Sequence, residues 1–349
     1  HYSATMGAMS QRIVKWRLTR QRELWRPWLL SALLIAAAPA FADNSMQDFI
    51  ASGKLDLTMR YRFESVDDAT PGLRDAHAST LRTALGYTTA SLYDFNAYLQ
   101  IENIAVVGNE LYNDGGSNGV TDRAVVVDPE GTEVNQAFLR FGGLPRTVLT
   151  YGRQELTHRE APLHRYLGNV GFRQNMQTYD AFRAVNLSLP KIAIDYAYIW
   201  NANRIFGEDH PNPEARDFRM HSHALNVQYS GLGVGKLEGY AYLLDFVGRT
   251  SPRFSTATYG VRFQGNHIAT PRLRLSYVLE AATQSDYADN PNDIDAHYAL
   301  VELSGRYGVG KTVESIGLGI GYELLSGDGG ADAKSADDAA GAFQTPLGT

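Results

Sequence analysis

The octapeptide GRYGVGKT, Gly305–Thr312, satisfies G-x-x-x-x-G-K-[ST], the spacing of a loop that cradles nucleotide phosphates with backbone N–H groups and a lysine. That chemistry needs a buried strand before the loop and a helix after it, with the helix N-terminus facing the anion. The chain supplies the strand, HYALVELS, but continues as VESIGLGIGYELL, where Ile316, Leu318, Ile320 and Tyr322 alternate with Gly317, Gly319 and Gly321. Three glycines in one helix would cost about 3 kcal/mol against alanine. GVGK therefore reads as a hairpin turn, and no nucleotide is expected.

Other candidate chemistry falls to similar tests. MHSHALN sets Ser222 between His221 and His223, but neighbours one apart on a strand face opposite ways and cannot pair as nucleophile and base. YNDGGSNGVTD and SGDGGADAKSADD are acidic Gly/Asp stretches without the spaced ligands and closing glutamate of an EF-hand loop, so they read as solvated loops. His210, His221 and His223 are scattered through a polar segment. No metal and no cofactor is expected, and no catalytic set is found.

The elements that carry these residues have a period of two. KLDLTMRYRFE, KIAIDYAYIWN and RLRLSYVLEAA each alternate apolar and polar side chains, the mark of a strand with two unlike faces. Thirteen such segments are read, at roughly 55–64, 80–88, 94–102, 133–142, 147–154, 178–189, 191–201, 222–230, 236–246, 255–264, 272–283, 296–307 and 312–325. The facing of 147–154, 178–189 and 236–246 is ambiguous. Their connections alternate between long (65–79, 103–132, 155–177, 202–221, 247–254, 284–295 and the tail from Ser326) and short (TASLYD, GLPR, PK, SGLGVGK, NHIATPR, GVGK). Short turns on one end, long loops on the other and strands near ten residues describe a transmembrane antiparallel up-and-down β-barrel. Tyr61, Tyr198, Trp200 and Tyr322 would serve its aromatic girdles.

Composition agrees. The 349 residues include 20 Tyr, 33 Gly and no Cys, with a mean hydropathy of −0.28, too polar for a helical membrane bundle and excluding disulfide or thiolate sites. Residues 1–42 carry a net +5, so the rest carries −11 against the overall −6, which speaks against a nucleic-acid partner. An Arg-rich stretch from Met9, the apolar run WLLSALLIAAAPAFA and the Ala40-Phe41-Ala42 end read as a secretory signal peptide preceded by upstream residues. Residues 43–349 are the expected barrel portion.

The polar faces of the strands carry Arg60, Arg62, Arg82, Glu102, Arg140, Asp195, Arg262, Arg274, Glu280, Glu302 and Arg306. In lipid, such a face is tolerable when it lines an aqueous lumen. These residues could brace the wall as cross-strand pairs worth about 0.2–1 kcal/mol each. They could also line a pore and set its selectivity. Both roles can coexist.

DPEGTEVNQAFLRF (Asp128–Phe141), YGRQEL (Tyr151–Leu156), GNVGFRQNMQTYDAFR (Gly168–Arg183), STATYGVRFQG (Ser255–Gly265) and FQTPLGT (Phe343–Thr349) resemble the alginate-export family of outer-membrane porins. Phe172 stands where that family's loop motif has Trp. The resemblance implies an outer-membrane barrel of about eighteen strands, with an Arg-lined path for an anionic uronate. On that basis thirteen strands are part of a longer barrel, and FQTPLGT leads into further strands. The expected function is passive passage of hydrophilic, anionic solutes such as uronates, oligosaccharides or organic acids, with outer-membrane lipid and the solute as the partners. An outer-membrane enzyme and a non-conducting adhesion or structural barrel are the alternatives.

Overall fold

The computed structural model describes residues 44–159, 166–310, 314–327 and 343–348. The expected signal peptide, its cleavage point and Lys311–Val313 lie outside the described residues. The chain divides into two units, His1–Asp48 and Phe49–Thr349. A short helix, α1 (Asn44–Ala51), spans the division. The second unit holds the sheet and everything discussed below.

The thirteen strands are β1 (Lys54–Val66), β2 (Ala76–Thr88), β3 (Phe95–Val106), β4 (Gly131–Leu144), β5 (Thr147–Gln154), β6 (Thr178–Asn186) and β7 (Ile192–Asn203). They continue with β8 (Asp217–Leu232), β9 (Gly235–Leu244), β10 (Thr256–Thr270), β11 (Leu273–Asp286), β12 (Asp295–Gly308) and β13 (Ser315–Leu325). They form one sheet in sequence order, every neighbouring pair antiparallel. Each segment read from the alternation is present. No pairing joins β1 to β13 among the described residues.

Alternation becomes two physical faces. On β1, Leu55, Leu57, Met59, Tyr61 and Phe63 are exposed, and Ile316, Ile320 and Tyr322 are exposed on β13. This apolar outer face is what a lipid-facing wall requires. The opposite, inner face is polar and largely covered. Its cover is the β5–β6 connection, which is held to β1 and β2 at one side and to β9 and β11 at the other. The sheet thus curls around that loop.

Local chemistry sets the turns. Tyr93 and Asp94 both have positive φ (50° and 65°) between the mutually bonded Leu92 and Phe95, the two-residue hairpin whose twist suits antiparallel strands. Gly152 has φ +123°, and a Cβ there would lie 2.3 Å from the Ala137 carbonyl oxygen, so the β4–β5 pairing needs glycine at this position. GVGK falls in the β12–β13 hairpin, where Val309 N–H donates to Glu314 O at 3.1 Å, and a strand rather than a helix follows.

Candidate functional site

All eleven sequence-derived residues lie on the inner face, but the structure sorts them into three settings. In the first, Arg60 and Arg82 are directly opposite each other on β1 and β2. Like charges so placed repel, and each is neutralised or tied down. Arg82 Nε donates to Glu102 Oε2 at 2.6 Å, and both side chains are buried. Arg60 instead grips the β5–β6 loop: Nε donates to Gln174 Oε1 at 2.8 Å, Nη1 to Gly171 O at 2.7 Å, and Nη2 to Arg173 O. Arg62 pairs with Glu64 and lies 3.9 Å from Asp128.

Gln174, wholly buried, is the pin of this corner. Its Nε2 donates to Thr80 Oγ1 at 3.0 Å and Thr80 O at 3.1 Å, and its backbone N–H donates to Asp128 Oδ1 at 2.9 Å. Burial pushes the Asp128 carboxyl above its ordinary range, and the Gln174 N–H and Arg62 offset part of that.

The second setting is a lateral row across the strands. Pairing registers align Gln228, Glu238, Arg262, Glu280, Leu300 and Glu323 at one height. The loop adds Arg159. Its Nη2 donates to Glu238 Oε1 at 2.7 Å and Glu280 Oε1 at 3.0 Å, while Arg262 Nη1 donates to Glu280 Oε2 at 2.6 Å. Tyr240 OH donates to Glu280 Oε1 at 2.7 Å and Asn226 Nδ2 to Glu238 Oε1 at 2.9 Å. Two arginines and two carboxylates cancel. Burial alone would lower the Arg159 guanidinium, and Glu280 and Glu238 outweigh it, holding it above its ordinary value.

Beside this row Tyr166, Tyr240, Tyr242, Tyr298 and Phe343 form a buried aromatic cluster, with Tyr166 and Tyr240 centroids 5.1 Å apart and Tyr298 and Phe343 5.6 Å apart. Phe343 belongs to the segment 343–348, which enters the lumen. Leu347 O accepts from Gly168 N–H at 3.1 Å and Gln177 Nε2 at 3.2 Å, and Gln344 exchanges backbone hydrogen bonds with the Gln284 side chain. Asp195 is paired with Arg183 and lies 3.7 Å from His158 Nε2.

The third setting is open. Arg274 and Arg306 are directly opposite on β11 and β12, and the same row continues to Ile268 and Gly317. The next row up, Asn266, Ser276, Ser304 and Gly319, also lacks an acid. Arg274, Arg306, Gly317 and that next row line a cleft, and both arginines are exposed and form no ion pair among the described residues. Glu302, also exposed, stands two rows above. Arg140 is exposed on β4 with its guanidinium 5.2 Å from the Phe138 ring.

Sequence reasoning missed Arg159, Glu238, Gln174 and Arg183. Arg159 and Gln174 sit in a loop without periodicity, and Glu238 and Arg183 on strands whose facing was ambiguous. Ser222 Oγ donates to Asp245 O at 3.2 Å, while His223 turns to the outer face beside Tyr196, so no nucleophile–base pair forms. No cluster of three or more His, Asp or Glu is placed to hold a metal among the described residues.

No known family profile and no curated protein matches the chain. Solved structures do. Pseudomonas aeruginosa OccD3 (OpdP) is 12% identical over 74% of this chain and 55% of its own length, with a TM-score of 0.52. Acinetobacter baumannii OccAB3 is 13% identical over 79% and 67%, TM-score 0.59. Pseudomonas aeruginosa OpdK, solved with vanillate, is 14% identical over 79% and 68%, TM-score 0.56. The chain thus spans little more than half the length of OccD3 and about two thirds of the other two. Thirteen antiparallel strands, a polar inner face and these likenesses give the chain the fold of an outer-membrane β-barrel porin.

Proposed function

We propose that this chain forms the wall of an outer-membrane channel through which small hydrophilic anions pass down their gradient. The observation that carries this reading is the Arg274–Arg306 row: two guanidinium groups face each other on the inner wall, in an open cleft, with no carboxylate in their own row or the next. An anion passing this row replaces part of its hydration with guanidinium donors. The apolar outer face and the loop that narrows the lumen support a pore, and among the described residues the inner face offers no nucleophile–base pair.

Carboxylates are the natural class. Vanillate, found with OpdK, is one, and the uronate implied by the alginate-export resemblance is another. The test is conductance of the purified full chain in planar bilayers, with a salt gradient and a panel of carboxylates and neutral sugars. The account expects discrete conductance steps, anion selectivity, and block or flux with the carboxylates ahead of the sugars. Absence of steps, or cation selectivity, overturns it.

A further inference from the structure

The short turns themselves have an unusual composition. Arg146, Lys191 and Arg272 sit on three of the short turns of the same end, those joining β4 to β5, β6 to β7 and β10 to β11, with Lys54 at the start of β1. All four are exposed, and none forms an ion pair among the described residues. Asp94 and Glu314 are acids on two other short turns, β2–β3 and β12–β13. At the other end the connections carry mostly acids, including Asp67, Asp68, Asp122, Asp289 and Asp293.

A second observation lies beside three of these basic groups. Leu144 is 46% exposed next to Arg146, Leu187 and Leu189 are 51% and 48% exposed before Lys191, and Leu55 is 73% exposed after Lys54. Turns that merely face water have no reason to present large aliphatic side chains. An aliphatic group reaching toward the acyl boundary, with a Lys or Arg extending to the headgroups, is how interfacial segments anchor. Anionic lipid attracts each such cation with about 1 kcal/mol.

We infer that this collar docks on the anionic phospholipid headgroups of the leaflet at the short-turn end, so that the chain is held at a fixed depth. The inference rests on the membrane-channel reading above but uses none of the inner-face residues. The test compares the Tm of the full chain in nanodiscs of phosphatidylcholine alone with nanodiscs that also contain phosphatidylglycerol. Wild type should gain Tm with phosphatidylglycerol, and the gain should vanish in 1 M salt, where the Debye length falls to roughly 3 Å. The variant Arg146→Gln/Lys191→Gln/Arg272→Gln should match wild type in phosphatidylcholine and show no gain. Should that variant fold poorly, the salt dependence of wild type still decides.

A gain shared equally by the variant, a gain that survives 1 M salt, or no gain in wild type overturns the inference. A Tm gain with soluble anionic cell-wall fragments but not with phosphatidylglycerol also overturns it. Conductance separates this from the channel proposal: a conducting, anion-selective protein without a phosphatidylglycerol effect retains the channel and loses the collar. A phosphatidylglycerol effect in a non-conducting protein does the reverse.

Discussion

The row through Glu238, Arg262 and Glu280 and the row through Arg274 and Arg306 lie on one face of one sheet, a few residues apart along β11. In the upper row every charge has a partner: Arg262 at 2.6 Å from Glu280, and Arg159 from the loop bridging Glu280 and Glu238. In the lower row the two arginines face each other, and the strand beyond contributes Gly317. Burial separates them too, since Arg262 is 2% exposed while Arg274 and Arg306 stand open. The difference teaches that facing the lumen does not make an arginine part of a selectivity filter. Charges cancelled by neighbours and dried by a loop fix the loop. Charges left unpaired in water act on whatever passes.

Removing a charge should therefore cost stability in the upper row and almost none in the lower. Glu280→Ala leaves Arg159 and Arg262 buried without their shared carboxylate, a loss of about 3–5 kcal/mol by the usual cost of breaking a buried pair. Thermal unfolding in detergent should show a large fall in Tm for Glu280→Ala, against no resolvable fall for Arg306→Ala. Equal Tm values would erase the contrast.

A smaller effect is expected at the other anchor of the loop. Gln174→Ala strips Arg60 Nε and Thr80 O of a buried partner, at about 1–3 kcal/mol. The loop should loosen, with noisier and larger conductance steps while ion selectivity stays unchanged. A selectivity change here would mean that Arg60 acts on solutes as well as on the loop.

The fold was legible because a strand between lipid and water must alternate, and thirteen segments from β1 to β13 did so. Short turns such as Pro145-Arg146 and Pro190-Lys191 marked one end of the sheet. Facing failed where inner residues are themselves apolar or aromatic. Tyr240 and Tyr242 of β9 point inward into the cluster around Tyr166, and Ala181 and Ile199 are buried on the same side, so the polarity contrast vanishes. Bulges at Asp180/Ala181 and Ile199/Asn201 also break the period. The charged residues of the confident strands were found, with the pairs Arg82–Glu102 and Arg262–Glu280 among them, but their partners from the β5–β6 loop were not. Arg159 reaches Glu238 from 79 residues away and Gln174 reaches Arg60 from 114 away, contacts that no local spacing announces.

The smallest effect is one of pH, in the loops. Glu214, in the four-residue helix α2 (Pro213–Arg216), accepts from the Thr250 hydroxyl and from the N–H groups of Thr250 and Arg249. The Thr250 hydroxyl leads these in holding its carboxyl below the ordinary value, against the opposing effect of burial. A depressed folded-state pKa gives stability that is present above the unfolded value, about 4.3, and lost as pH falls through the folded one. Hydrogen exchange should show the Arg249 and Thr250 amides losing protection below about pH 4. Wild type should then match Glu214→Gln, while the loop at Gln174 stays protected. Protection unchanged by acid would show that backbone packing, not the carboxylate, holds that loop.

On this reading the unpaired row selects and the paired row does not. Reversal potential across a bilayer in a salt gradient tests it, with Arg274→Glu/Arg306→Glu beside wild type. The double variant should fold with unchanged Tm, and its reversal potential should move toward cations. The shift should shrink between 0.1 M and 1 M salt as the Debye length falls from roughly 10 Å to 3 Å. An unchanged reversal potential in that folded variant would contradict it.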